Sequence, residues 1–237
     1  MFESSLAATP PPSKREANKL DKLERIKRAA LLLFTTMGYD EATTRAIAAH
    51  AEVALGTVFT YASNKRDLLF LVANDMLDDT CVRGESLCDR RRPLQENVVL
   101  FCGAHYVAFA AQPELSRLVM RELLFYDSGV QAERAVRNRS RILRCFEHLI
   151  LNARDKGEVK LDAPVDLIAG VIFGILQAEI RRWLALDKRD LEAGLVHLWS
   201  CMSLVTNGMA LKGVALEPGK SQLQKMIAVL SADSVKK

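Results

Sequence analysis

The stretch Thr43–Leu69, TTRAIAAHAEVALGTVFTYASNKRDLL, decides the fold. Thr43 is suited to cap a short helix over Thr44–His50 with Ile47 facing inward. Ala51-Glu52-Val53 then reads as a turn, and Leu55–Tyr61 as a second short helix. Helices this short do not hold in water by themselves, so their neighbours must carry them. A longer apolar stripe runs from Lys65 to about Cys81, through Leu68, Leu69, Val72, Met76 and Leu77. Upstream, Leu23, Ile26, Ala30, Leu33, Phe34 and Met37 recur at three- and four-residue steps, and Gly38 stops that helix. Three helices with a short last one behind a tight turn make a helix-turn-helix. Such a helix fits the DNA major groove, which is about 12 Å wide.

Charge is placed to match. Residues 14–28 hold seven basic side chains, among them Lys14, Arg15, Lys19 and Lys22, against three acidic ones. That local excess of four equals the net charge of the whole 237-residue chain. At 49% hydrophobic and 26% charged, the chain can bury a sizeable core. Its 12 glycines and 7 prolines are few, which favours helices. No alternating strand pattern of useful length appears, so the expected fold class is all-α. The longest apolar run, Leu167–Leu176, is shorter than the roughly 18 residues a membrane span needs, and no signal-peptide order is visible at the N-terminus. These features predict a cytoplasmic protein that does not enter the membrane. The five cysteines lack metal spacing and read as reduced thiols, with Cys81–Cys88 as the alternative redox pair. No metal or cofactor is expected.

Residues 26–69 resemble the DNA-binding region of TetR-family transcriptional regulators. Ile26–Phe34 with Gly38-Tyr39 matches the family's first helix and its stop. Thr43, Arg45 and Ile47-Ala48 match its second. Ala51, Val53, Gly56-Thr57, Phe59, Tyr61, Lys65 and Leu68-Leu69 match the turn, the recognition helix and the start of the fourth helix. The chain departs from the pattern at Glu52, where the family has Gly, and at Ala54, where it has a capping hydroxyl. It departs again at Phe59 for Tyr, Ala62 for Phe, and Leu55 for a basic residue. The resemblance implies that Thr43 and Lys65 clamp phosphates and that Arg45 and Thr57 approach from the groove edges. Thr60, Tyr61 and Leu55 would then meet bases. Phosphate contacts position the protein and base contacts specify the sequence.

Expected organisation is a flexible tail over 1–13, a DNA-binding domain over 14–64 and a helical effector-binding and dimerisation domain over 65–237. In the last, Gly170, Gly174 and Ala178 form a small-residue stripe, and the resemblance implies a homodimer interface that also takes Leu198 and Met202. Aromatic and polar residues at helical spacing give a candidate small-molecule pocket: Phe101, His105, Phe109, Phe125, Tyr126, Phe173 and Gln177, with Met120, Phe146 and Trp183 nearby in the pattern. The functional expectation is a repressor of a palindromic double-stranded DNA operator, released by a small apolar or amphipathic effector. The alternative is a helical ligand-binding or adaptor protein with weakened, nonspecific DNA binding. Catalysis is not expected, because no Gly-rich phosphate loop, metal motif or nucleophile elbow occurs; Cys102 and His105, three apart, lack a third group.

Overall fold

A computed structural model describes residues 13–159, 163–209 and 219–232. Apart from an isolated bridge residue at Val159, their regular structure is helical. The order is α1 (Lys14–Thr36), α2 (Thr44–His50), α3 (Leu55–Tyr61), α4 (Lys65–Ser86), α5 (Leu94–Ala111), α6 (Pro113–Glu122), a 3-10 turn at Leu123–Phe125, α7 (Ala132–Asp155), α8 (Val165–Leu184), α9 (Leu191–Met209) and α10 (Lys220–Ala232). The expected tail over 1–12 lies outside the described residues. Ser13, assigned to that tail, instead closes a capping box on α1: its hydroxyl accepts from the Glu16 N–H while the Glu16 carboxylate accepts from the Ser13 N–H.

Thr43 and Asn64 cap α2 and α4 by accepting from Ala46 N–H and Asp67 N–H. Gly38 ends α1 at φ +90°, a conformation that a side chain disfavours. Helix α4 runs beyond Cys81 to Ser86 and passes through Gly84, where a Cβ would stand 2.9 Å from the Phe101 ring. The missing side chain therefore sets how closely α4 and α5 approach.

Helix α4 is the axis of the molecule. On one side it packs on α1, and on the other on α5, α6 and α7. Ile26, Phe34, Ile47, Val58 and Leu68 are buried together under the short helices and supply the stability that α2 and α3 lack alone. Behind them, Trp183 of α8 lies against Tyr106 of α5 with ring centroids 4.9 Å apart and donates through Nε1 to the Asp190 carbonyl. Buried Gln95 is satisfied by α9: it donates to the Trp199 carbonyl and Ser203 Oγ and accepts from Thr206 Oγ1. No single helix among the described residues is long and apolar enough to cross a membrane.

Candidate DNA-binding face and effector pocket

The α2–α3 turn carries Glu52 at φ +50°, the only non-glycine among the described residues in the left-handed region. The Arg25 guanidinium compensates by donating to the Ala51 carbonyl at 2.6 Å, the Glu52 carbonyl at 2.8 Å and the Glu52 carboxylate at 3.3 Å. The chain thus builds the family's turn without the family's glycine. Ala54, at the N-cap of α3, makes no side-chain cap bond.

Thr43 and Arg45 at the start of α2 and Thr60 on α3 are exposed, and Thr57 is half-buried. Thr57, Thr60 and Tyr61 share a cleft with Lys14, Arg15, Lys19 and Lys22 of α1. The basic start of α1 therefore lies alongside the recognition helix, which composition could not place. The Tyr61 hydroxyl donates to the Lys19 carbonyl at 3.1 Å and fixes the ring at the cleft edge. Lys65 donates to the Asp40 carbonyl at 2.9 Å and sits 4.7 Å from the Tyr39 ring centroid, so its ammonium is held in place at the start of α4. Leu55 leans partly onto the core and presents little free surface. Phe59 instead is 45% exposed on α3 and presents an aromatic edge.

The second site is a cavity of about 50 Å³ enclosed by α4, α5, α6, α7 and α8. Helix α4 contributes Leu77 and Cys81, α5 contributes His105 and Phe109, and Met120 and Leu123 come from α6 and the 3-10 turn. Ala135, Asn138, Arg139 and Ile142 of α7 face Phe173, Leu176, Gln177 and Ile180 of α8. Four of the seven expected pocket residues, His105, Phe109, Phe173 and Gln177, are thus brought together. The other three are not. Phe125 is 77% exposed, because α6 breaks at Glu122 and the 3-10 turn swings its ring outward. Tyr126 is buried beyond the cavity, stacked on Phe70 at 3.8 Å. Phe101 lies behind the cavity wall, against Phe146 and the His105 ring.

His105 is a satisfied core histidine on one edge: Nδ1 lies 3.2 Å from the Phe101 carbonyl. Burial lowers its pKa to about 4, which the carbonyl bond only partly offsets, so the ring is neutral at physiological pH. Burial pushes the Cys81 thiol up to about 12. All five cysteines are free. The Cys88 thiol donates to the Gly84 carbonyl at 3.4 Å and the Asn97 carbonyl at 3.9 Å, and no disulfide joins it to Cys81.

A buried carboxylate joins the two sites. Asp67 of α4 is fully buried and accepts from Ser63 N–H at 2.7 Å, Ser63 Oγ at 2.9 Å, Val130 N–H at 2.8 Å, Gln131 N–H at 2.9 Å and the Tyr126 hydroxyl. Burial alone would raise its pKa; the bonds from Tyr126, Ser63 and Gln131 outweigh burial and hold the carboxyl below its ordinary range. Helix α7 has no side-chain cap of its own, and Asp67, from another helix, accepts the N–H groups of its N-cap residue Gln131 and of Val130 just before it. Gln131 then donates through Nε2 to the Tyr61 carbonyl at 3.0 Å. The end of the recognition helix and the start of a pocket wall are therefore fastened to the same residues, a link that spacing along the chain did not suggest.

On α8, Gly170, Gly174 and Ala178 are exposed along one face beside Leu167 and Val171, which are 58% and 46% exposed. Leu198 and Met202 of α9, expected with them, are instead in the chain's own core. The outward residues of α9 include Leu204, 69% exposed. Glu179, His197 and Cys201 bring possible metal-ligand atoms within 4.8 Å of one another, a group formed only by the packing of α8 on α9. The carboxylate there is already engaged by Arg182 and by His197 Nδ1 at 2.7 Å.

Residues 26–72 match the family model described as bacterial regulatory proteins, tetR family. The chain is 23% identical over 172 residues to the fatty acid metabolism regulator protein of Bacillus subtilis, covering 72% of this chain and 88% of that one. Its fold resembles the crystal structure of the B. subtilis regulator FadR in complex with stearoyl-CoA, with TM-score 0.62, 23% identity and coverage of 78% of this chain and 98% of that chain. It also resembles the Thermus thermophilus FadR, a TetR-family transcriptional repressor in complex with lauroyl-CoA, with TM-score 0.62, 25% identity and coverage of 83% and 99%. Residues 26–72, with the turn and the short helix behind it, thus form a DNA-binding region of the tetR family of bacterial regulatory proteins, and the helical second half resembles that of the solved regulators in fold.

Proposed function

We propose that this regulator represses transcription by holding a two-fold symmetric operator as a homodimer and releases it when a long-chain acyl effector opens the α4–α8 cavity. Residues 14–64 act as the reading head and residues 65–237 as the effector and dimer unit. The observation that carries this reading is the shared attachment of α3 and α7 to Asp67. A cavity of about 50 Å³ is well below the roughly 300 Å³ at which ligand pockets begin, so an acyl chain must spread its walls. Spreading α7 from α4 strains the Asp67 linkage and moves α3 relative to its partner copy. The acyl class is supported by the apolar lining and by the stearoyl-CoA and lauroyl-CoA held by the two related regulators.

In this reading Lys65 and Thr43 hold phosphates, Arg45 and Thr57 approach from the groove edges, and Thr60, Tyr61 and the exposed Phe59 ring meet base edges. The Gly170–Gly174–Ala178 face of α8 with the outer side of α9 pairs two copies. A switch from 1:99 to 99:1 requires roughly 5.5 kcal/mol of differential binding between the two states. Selection of bound duplexes from a random library tests the reading. The expected product is a palindrome with half-sites about one helical turn apart, released by lauroyl-CoA. Salt-sensitive binding without sequence enrichment would favour the nonspecific adaptor instead.

A further inference from the structure

Asn138 stands on the cavity side of α7, 7% exposed, and its side-chain Nδ2 has no hydrogen-bond partner. A buried N–H left unpaired is unfavourable, and native proteins keep few of them without a use. The next residue, Arg139, lines the same cavity and is half-buried. Three arginines near it on α7 are neutralised: Arg134 pairs with Asp75 and Asp78, Arg137 with Glu133, and Arg141 with Glu85. Arg139 has no ion-pair or hydrogen-bond partner among the described residues. The other titratable side chains of the lining, His105 and Cys81, are uncharged near neutral pH. The cavity therefore offers apolar walls, one unpaired buried donor and one unpaired positive charge, the last two adjacent on the same helix.

His105 directs polarity. With Nδ1–H bonded to the Phe101 carbonyl, Nε2 is a bare acceptor and repels any carbonyl or carboxylate oxygen brought to the α5 side. An oxygen-bearing head group is thus steered to α7.

We propose that Asn138 and Arg139 form the head-group site for an acyl ligand. Asn138 Nδ2 donates to the acyl carbonyl oxygen, Arg139 meets the ligand's negative charge, and the hydrocarbon chain lies on Leu77, Phe109, Met120 and Phe173. The assignment rests on the acyl-effector reading above. The charge belongs either to a free fatty carboxylate or to the phosphates of a CoA thioester, and both share the carbonyl and the anion.

The test is calorimetric titration of the full chain, without DNA, with laurate, lauroyl-CoA and 1-dodecanol, for wild type, Asn138→Leu and Arg139→Gln. Wild type is expected to bind laurate or lauroyl-CoA, and whichever binds identifies the source of the charge. Asn138→Leu is expected to weaken that binding at least tenfold while melting at the same or a higher temperature than wild type, since an unpaired donor has gone. A merely structural asparagine would instead lower the melting temperature. Arg139→Gln is expected to weaken the anionic probe and flatten its salt dependence while leaving dodecanol unchanged. Unchanged affinity in either variant overturns the assignment and leaves the regulator reading intact. Binding of no probe by the wild type overturns the assignment and the acyl effector together, whereas the operator selection judges DNA reading independently.

Discussion

Asp67→Asn keeps shape and removes charge, so it isolates what the buried carboxylate does. Five donors converge on the two Asp67 oxygens, three at Oδ2 and two at Oδ1. An asparagine amide must turn its NH₂ toward one group. At the Oδ2 position it would orphan the N–H groups of both Ser63 and Val130. At Oδ1 it orphans only Gln131 N–H, because the Tyr126 hydroxyl can rotate and accept. The second orientation costs least, about 1–3 kcal/mol for the orphaned N–H. Losing the charge-assisted strength of the remaining bonds adds about 1 kcal/mol. A total of about 2–4 kcal/mol is a large share of the roughly 5–15 kcal/mol that stabilises a typical domain. Urea unfolding at pH 7 measures it as a drop in midpoint at constant slope. The pH dependence supplies a second signature. Because the folded pKa is held below the ordinary 3.8, the stabilisation is present above that value and is lost as pH falls through the folded pKa. The gap between wild type and variant should therefore narrow as pH falls below 3.8 and close only below the folded pKa. A loss under about 0.5 kcal/mol at pH 7, or a gap that does not narrow as pH falls below 3.8, would refute the reasoning.

Three further outcomes follow from the DNA-binding half. Glu52→Gly relieves a left-handed non-glycine at a cost of one exposed ion pair with Arg25, and thermal unfolding should show a gain of up to about 1 kcal/mol; a clear loss would mean that the Arg25 pairing outweighs the strain. Ala54→Ser supplies the missing cap of α3 and should add about 1 kcal/mol in the same assay, with tighter operator binding if α3 is the reading helix. Lys65→Ala should weaken all duplexes alike and lower the salt slope of binding by about 1, whereas Tyr61→Ala should flatten preference among operator variants. Equal behaviour of those two variants across a duplex panel contradicts the division between phosphate and base contacts.

The helices and the DNA-binding region were legible in the order of residues along the chain. The bounds of α2 and α3 were legible to the residue, because Thr43 announces a cap and the family motif spans both. Periodicity identified His105, Phe109, Phe173 and Gln177 as inward-facing, and the cavity holds all four. What a stripe faces was decided only by the tertiary structure. Leu198 and Met202 are apolar at the right spacing for a dimer surface, yet their helix turns them into its own core and leaves Leu204 outside. Phe125 looked like a pocket aromatic until the break after α6 turned it to solvent. Asn138 and Arg139 sit in an arginine-rich helix that reads as a solvated face, and only the packing of α7 on α8 shows that one of its amides is buried without a partner. Asp67 is the same case: in sequence it is one acid in a polar opening turn, and in the fold it is the acceptor for groups 59 to 64 residues away. Local periods and caps are properties of neighbours along the chain. Burial and charge pairing are properties of neighbours in space, and those exist only once the helices have closed on one another.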